Sequence, residues 1–349
     1  MLEDKSVGLT PLAQLGEFVL IDRLTRNFNP LAPGLKVGPG DDCAVWEKNE
    51  NEFYLASTDI LAEGIHFDLS YCPLKHLGYK AIAVNISDIC AMNGEAWGIL
   101  VSIGFSNRFS VEALDELYAG IHAACSKYNV LLLGGDTSTS VQGLFISITI
   151  LGSVAKEKLT LRSGAKKNDL ICVSGDLGAA YAGLKILQRE KSVFLDNPSV
   201  QPDLLGFEYV VERQLKPEPR VDIIDALSKA NIIPFAMIDI SDGLSGDLTH
   251  ICQASNCGAL IYQDKLPVDH ETEKVAEEFT HTGHTYALNG GEDYELLFTV
   301  SLDSFEKVKD IPGVKIIGHM QDASSGIQLE SSLGEIIDLK HNSWNHFVS

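Results

Sequence analysis

The sequence predicts a two-domain α/β protein, and three observations carry that expectation. At 349 residues with a 45% apolar share, the chain is long enough for two domains of ordinary size and can bury a real core. Strand-like runs alternate with helical periodicities, and a strand repeatedly hands over to a helix through a turn that carries glycine or aspartate. Between Lys156 and Asp169 the polarity shifts, which reads as a connection, so the expected domains are 1–155 and 156–349.

Composition removes several kinds of function. A formal net charge of -21 argues against a nucleic-acid backbone or an anionic membrane as the main partner, because both need a basic footprint. Seven scattered cysteines without a CxxC pair point to a reducing compartment, taken as the cytoplasm, rather than to disulfides or zinc. No charged-then-apolar leader opens the chain. Its most apolar run, Gly143 to Ala155, is too short and too rich in Ser and Thr to span a bilayer and reads as a buried strand.

In chain order, residues 13–28 have helical spacing with Leu15, Phe18, Val19 and Leu24 on one side. Gly38-Pro39-Gly40 then turns the chain into Asp41-Asp42, where adjacent like charges are costly to keep ionised unless a cation neutralises them. A short strand from Phe53 to Ala56 enters a carboxylate-bearing turn at Ser57-Thr58-Asp59, and a helix is expected from about Pro73 to Met92. Leu77, Ala81, Val84 and Ile89 mark its buried stripe, while Asn85 and Asp88, one turn apart, can point into one pocket. The strand Trp97 to Phe105 leads to a helix started by Ser110, with Tyr118 on its inner face. Next comes a run read as a buried strand, Val130 to Leu133, ending in Gly134-Gly135-Asp136-Thr137. Such glycines permit close backbone approach to an anion beside one more carboxylate.

The second half opens with Arg162, a cation available to a phosphate or a purine face. Leu170 to Ser174 reads as a strand turning at Gly175-Asp176-Leu177-Gly178 into a helix through Leu187, a weak phosphate cradle at most. Residues 192–203 read as loop. Ala236 to Ile240 delivers Asp239 and Asp242 on either side of Ser241, where they can meet one ion or two adjacent ones, before a helix carrying Asp247. Asn289-Gly290-Gly291-Glu292-Asp293-Tyr294-Glu295 again sets glycines before acids and a strand. The chain closes on Ser343-Trp344-Asn345-His346-Phe347. Oxygen-only ligands without His/Cys pairs favour a hard divalent ion of the kind shared with phosphates, so the pattern points to a magnesium–phosphate site.

Taken together, G-D-D-C-A, S-T-D, E-G-x-H-F, V-N-x-S-D, G-G-D-T, L-T-x-R-S-G-A, D-I-S-D-G-L and G-G-E-D-Y-E-L, closing on W-N-H-F, resemble the thiamine-monophosphate kinase family from Gly16 to Phe347. That family sits in a superfamily with aminoimidazole ribonucleotide synthetase. The resemblance implies two α/β domains, the first with a four-stranded mixed sheet that pairs with its mate in a homodimer. It implies transfer of the γ-phosphoryl of ATP to thiamine monophosphate, with several Mg2+ ions on Asp42, Ser57, Thr58, Asp59, Asp88, Asp136, Asp239 and Asp242. By the same resemblance, nucleotide would meet Tyr118, Gly135, Asp136, Arg162 and Ser241, and the acceptor would meet His66, Glu292 and Trp344. Asp42, Asp59, Asp88, Asp136 and Asp239 carry the catalytic expectation. Thr139-Ser140 stands where many relatives carry Arg. The rival readings are another ATP-dependent synthetase of the superfamily and a non-catalytic nucleotide- or cation-binding protein.

Overall fold

The alternation of strands and helices resolves into two mixed β-sheets, each flanked by helices. A computed structural model describes residues 17–28 and 33–339 of the chain. The first half runs α1 (Glu17–Thr25), β1 (Leu35–Val37), β2 (Ala44–Glu47), β3 (Glu52–Ala62), α2 (Leu74–Ala91), β4 (Glu95–Phe105), α3 (Val111–Tyr128), β5 (Leu131–Thr139) and β6 (Phe145–Ala155). Its sheet has the order β1-β2-β3-β6-β4-β5, with only β4 and β5 parallel. The sheet therefore has six strands where the resemblance implied four. Four long ones, β3, β6, β4 and β5, form the body, and the short β1 and β2 extend one edge.

The second half runs β7 (Leu170–Ser174), α4 (Ala179–Asp196), α5 (Glu208–Leu215), α6 (Val221–Lys229), β8 (Ala236–Asp239), α7 (Leu244–Ser255), β9 (Cys257–Tyr262), α8 (His270–Glu278), α9 (Gly283–Asn289), β10 (Leu296–Val300), α10 (Phe305–Val308), β11 (Val314–Asp322), β12 (Ile327–Glu330) and β13 (Ile336–Asp338). These strands form one sheet, β13-β12-β9-β11-β7-β10-β8. Its centre is apolar on both faces, as β7 and β10 are buried throughout.

Helix α2 joins the halves. The expected one-sided stripe is present, yet 14 of its 18 residues are buried, Lys80 and Asn85 among them, because the first sheet covers one side and α3, α5 and β8 crowd the others. Its contact with α3 is backbone-close. A Cβ on Gly78 would stand 2.0 Å from the Leu117 carbonyl oxygen, and one on Gly120 would stand 1.9 Å from that of Lys75. Alanine at either position would force the helices apart. One continuous set of buried side chains runs from Leu55 and Ile150 through α2 to Met237 and Phe298.

Several expectations are corrected. Ser57-Thr58-Asp59 is not a turn but the middle of the 11-residue strand β3. The run read as a buried strand at Val130–Leu133 continues as β5 through both glycines to Thr139, and β5 is exposed along its length because it lies at the sheet edge. Helix α4 extends to Asp196, so the loop read at 192–203 begins five residues later than expected. In α1, Val19 and Leu24 are exposed rather than buried. Residues 13–16 of that expected helix, and Trp344, lie outside the described residues.

Candidate active site

Three segments far apart in sequence deliver carboxylates to one point. Ligand oxygens of Asp42, Asp88 and Asp239 all lie within 4.8 Å of one another. Asp42 comes from the Gly-Pro-Gly turn before β2, Asp88 from the last turn of α2, and Asp239 from the end of β8. Asp59 stands on β3 opposite Ile148 of β6, and strand alternation puts it on the same face as Leu55 and Ser57, the face covered by α2. Hydroxyls fix the acids. Ser57 Oγ donates to Asp88 Oδ2 at 2.6 Å, and Ser87 Oγ donates to Asp239 Oδ2 at 2.6 Å.

The electrostatics are those of a surplus of negative charge. Burial, and then the neighbouring Asp42, push the Asp59 carboxyl up to about 6 and that of Asp239 to about 7. Burial together with Asp42 raises Asp41 to about 6, and burial with Asp59, Asp239 and Asp42 holds Asp88 well above the carboxylate range. One cation faces them. Arg162 Nη2 donates to Asp42 Oδ1 at 2.6 Å, and the Arg162 backbone N–H donates to Asp41 at 3.1 Å. Asp42 Oδ2 is buried without a hydrogen-bond partner. A hard divalent cation fits this donor set, since it would use the orphaned oxygen and cancel the repulsion that raises the acids.

The remaining expected residues lie apart from this point. Thr58 is on the opposite face of β3 from Asp59 and donates its hydroxyl to the Ile148 carbonyl at 3.0 Å. Asp242 joins a separate group with Asp247 and His250, whose ligand atoms lie within 4.8 Å, so the chain splits Asp239 and Asp242 between adjacent clusters. Gly135 and Asp136 stand on β5, paired with Val101 and Ser102 of β4. Three strand spacings, about 14 Å, separate that edge from β3, and the fold of one chain does not bring Asp136 to the acids. Tyr118, with His122 and Cys125 of α3 and Leu131 and Leu132 of β5, lines a groove of about 450 Å³ beside the same edge.

Glu292 and Ser241 lie against each other just past the end of β8. The Glu292 N–H donates to the Ser241 carbonyl at 2.8 Å, and the Tyr294 N–H to that of Ile240 at 2.9 Å, which lays the Gly-Gly-Glu-Asp-Tyr segment along the end of β8. A Cβ on Gly291 would come 2.3 Å from the Ser241 oxygen, so the approach requires glycine there. His66 follows β3, and its Nδ1 accepts the Ala62 N–H at 3.1 Å. That bond fixes the neutral ring with its proton on Nε2.

Sequence reasoning missed three participants. Ser87 lay inside a quoted motif, but Asn85 was singled out instead, and Asn85 donates back to Ala81 of its own helix at 2.9 Å. Tyr294 is near both Glu292 and the acids, its phenol held well above its usual range by burial and by Glu292, Asp59, Asp239 and Asp88. Lys80, fully within the helix stripe, carried no signal beyond being a lysine in an apolar run. The weak phosphate cradle at Gly175–Gly178 is filled by the protein itself, because Asp293 accepts the N–H groups of Gly178 at 2.6 Å and Ala180 at 3.2 Å.

Comparison with known proteins identifies the family. Residues 40–154 match the family model for the AIR synthase related protein, N-terminal domain. The thiamine-monophosphate kinase of Buchnera aphidicola subsp. Schizaphis graminum is 35% identical over 96% of this chain and 100% of its own, and that of Bacillus subtilis is 33% identical over 95% and 100%. The solved structure of AaThiL complexed with AMPPCP and TMP superposes with a TM-score of 0.82 at 31% identity, covering 97% of this chain and 100% of that one.

Proposed function

The chain belongs to the thiamine-monophosphate kinase family, and from that premise we propose how its site works. The activity is ATP-dependent phosphorylation of thiamine monophosphate. The γ-phosphoryl passes in line to the acceptor phosphate, giving thiamine diphosphate and ADP. The attacking oxygen is already anionic near neutrality, since the second pKa of a phosphate monoester is about 6, so no strong general base is required. Repulsion is the obstacle. Each pair of unit charges about 4 Å apart opposes approach by roughly 4 kcal/mol at an effective dielectric of 20, and a triphosphate facing a monophosphate contains several such pairs.

The observation that carries this reading is the convergence of Asp42, Asp88 and Asp239 beside Asp59, with one arginine for all of them. Asp42, Ser57, Asp59, Asp88 and Asp239 would hold Mg2+, with Asp242 available from the adjacent cluster, whereas Thr58 and Asp136 stand away from these acids in one chain. When bound, the metal neutralises phosphate charge and orients donor and acceptor. Arg162, which leans on Asp42, would share its charge with the nucleotide beside Ser241, and Tyr118, Gly135 and Asp136 would meet nucleotide only from the β5 edge. His66 offers its Nε2–H to the acceptor phosphate, while Glu292 and Trp344 hold the thiamine moiety. Residues 1–155 would supply most of the metal set and 156–349 would complete the nucleotide and acceptor sites.

A homodimer is favoured by β5, an edge strand that exposes Leu131, Leu132 and Leu133. All seven cysteines are free thiols, in keeping with a reducing cytoplasm. Incubation with ATP, Mg2+ and thiamine monophosphate tests the reading: thiamine diphosphate and ADP should form in equal amounts, and ADP without thiamine diphosphate would refute it.

A further inference from the structure

Lys80 is a charged side chain in an apolar helix, 2% exposed, and burying an ammonium there costs several kcal/mol unless it is fully paired. Its partners come from two other parts of the chain. Lys80 Nζ donates to the Gln214 carbonyl at 2.9 Å and to Glu292 Oε2 at 2.9 Å, and Gln214 Nε2 donates to the same Oε2 at 2.7 Å. Both donors converge on one oxygen, which leaves Oε1 as the atom this carboxylate can offer to a ligand. The backbone is held as firmly. Glu292 has φ +68°, a conformation unfavourable for a side-chain-bearing residue, and its N–H is anchored on Ser241.

We propose that Lys80 and Gln214 are positioning residues for the acceptor: they clamp Oε2 of Glu292 so that Oε1 is presented, in one orientation, to the thiamine moiety. This rests on reading Glu292 as an acceptor contact. Thiamine carries a fixed positive charge and an amino group, and either suits a carboxylate oxygen aimed at it. Helix α2 makes the clamp more than local. Lys80 and Ser87 are two turns apart, about 10 Å along the axis, one holding Glu292 and the other holding Asp239. A single rigid rod thereby sets the spacing between the acceptor side and the clustered acids.

A double-mutant cycle with Lys80→Met and Glu292→Gln tests this. Lys80→Met should raise the KM for thiamine monophosphate about tenfold while the KM for ATP stays within about twofold. In the Glu292→Gln background the same change should have no further effect on the acceptor KM. A purely structural lysine would instead shift both KM values together, or shift the acceptor KM equally in both backgrounds, and either result overturns the proposal. If Glu292→Gln leaves the acceptor KM at the parent value, the acceptor reading of Glu292 falls and the clamp with it. If Glu292→Gln raises it and Lys80→Met does not, the clamp alone falls. Should Lys80→Met not fold, Gln214→Leu removes the second donor without unpairing a buried charge and is read against the same cycle.

Discussion

Two groups of buried acids lie close together in this molecule and are treated in opposite ways. Around Arg213 and Arg220, each carboxylate has a guanidinium within ion-pair reach, although Asp176 Oδ1 is buried without a hydrogen-bond partner. Glu295 takes Arg220 Nη1 at 2.5 Å, Arg213 at 3.1 Å and the Ser174 hydroxyl; Asp176 takes Tyr209 and Arg213; and Asp293 takes two amides at the start of α4. Around Asp42, four further acids, Asp41, Asp59, Asp88 and Asp239, share Arg162 and two serine hydroxyls. Burial of acids does not by itself mark a site. What separates the regions is the surplus of charge, matched in one by guanidinium groups and largely unmatched in the other.

The largest test of that contrast is Asp239→Asn. Formation of thiamine diphosphate should fall about a thousandfold, while the metal-free protein should melt at a higher temperature than the parent because one mutually repelling acid is gone. Calorimetry and a product assay read the two effects. A variant that turned over normally, or melted lower without metal, would put Asp239 in the compensated class. Next in size is Glu295→Ala, which removes the buried carboxylate shared by two half-buried guanidinium groups, leaving Arg213 with Asp176 and Arg220 with Asp222, and should cost about 3 kcal/mol of stability by denaturant titration, with both KM values of the folded protein close to the parent's. Loss of substrate affinity without loss of stability would reverse the assignment of the two regions.

The smallest expected effect is on pH dependence. Asp41 and Asp59 sit at about 6 and Asp239 and Asp293 at about 7 in the folded chain, all raised chiefly by burial. With folded values above unfolded ones, the folded state binds more protons between about pH 4 and 7, so stability falls as pH rises through that window and levels off above it. The metal-free protein should therefore melt several degrees lower at pH 8 than at pH 5. Mg2+ with nucleotide should raise the melting temperature more at pH 8, where the acids are ionised and ready to bind. A melting temperature that rose with pH, or was indifferent to Mg2+ and nucleotide, would show that the acids around Asp42 are as well compensated as those around Arg213.

The legibility of the molecule followed the range of the forces. Strand and helix existence was readable because Phe145 to Ala155 alternates buried and half-buried residues, and because α3 carries its own start signal, with Ser110 Oγ accepting the Ala113 N–H at 3.3 Å. The middle of β3 was mistaken for a turn because Ser57-Thr58-Asp59 has turn composition. Its 11 consecutive pairings with β6 override that local preference. The exposure of β5 could not be read from Leu131-Leu132-Leu133, since an apolar run says what a strand would bury but not whether it lies at an edge. Among the three acids of Gly-Gly-Glu-Asp-Tyr-Glu, composition made no distinction and only the resemblance singled out Glu292; Asp293 and Glu295 are paired with arginines and only Glu292 is left partly exposed.

Residue type and spacing determined which side chains this protein could use: short oxygen donors next to glycines, a net charge that argues against nucleic acid or an anionic membrane as main partner, and motifs ordered as in one kinase family. Only the tertiary structure decided which of those donors share a volume, because the distance between Asp42 and Asp239 depends on the packing of α2 against two sheets. It likewise decided which acids meet arginine and which do not. Charge interactions act through space, and space between segments nearly two hundred residues apart is fixed by the fold.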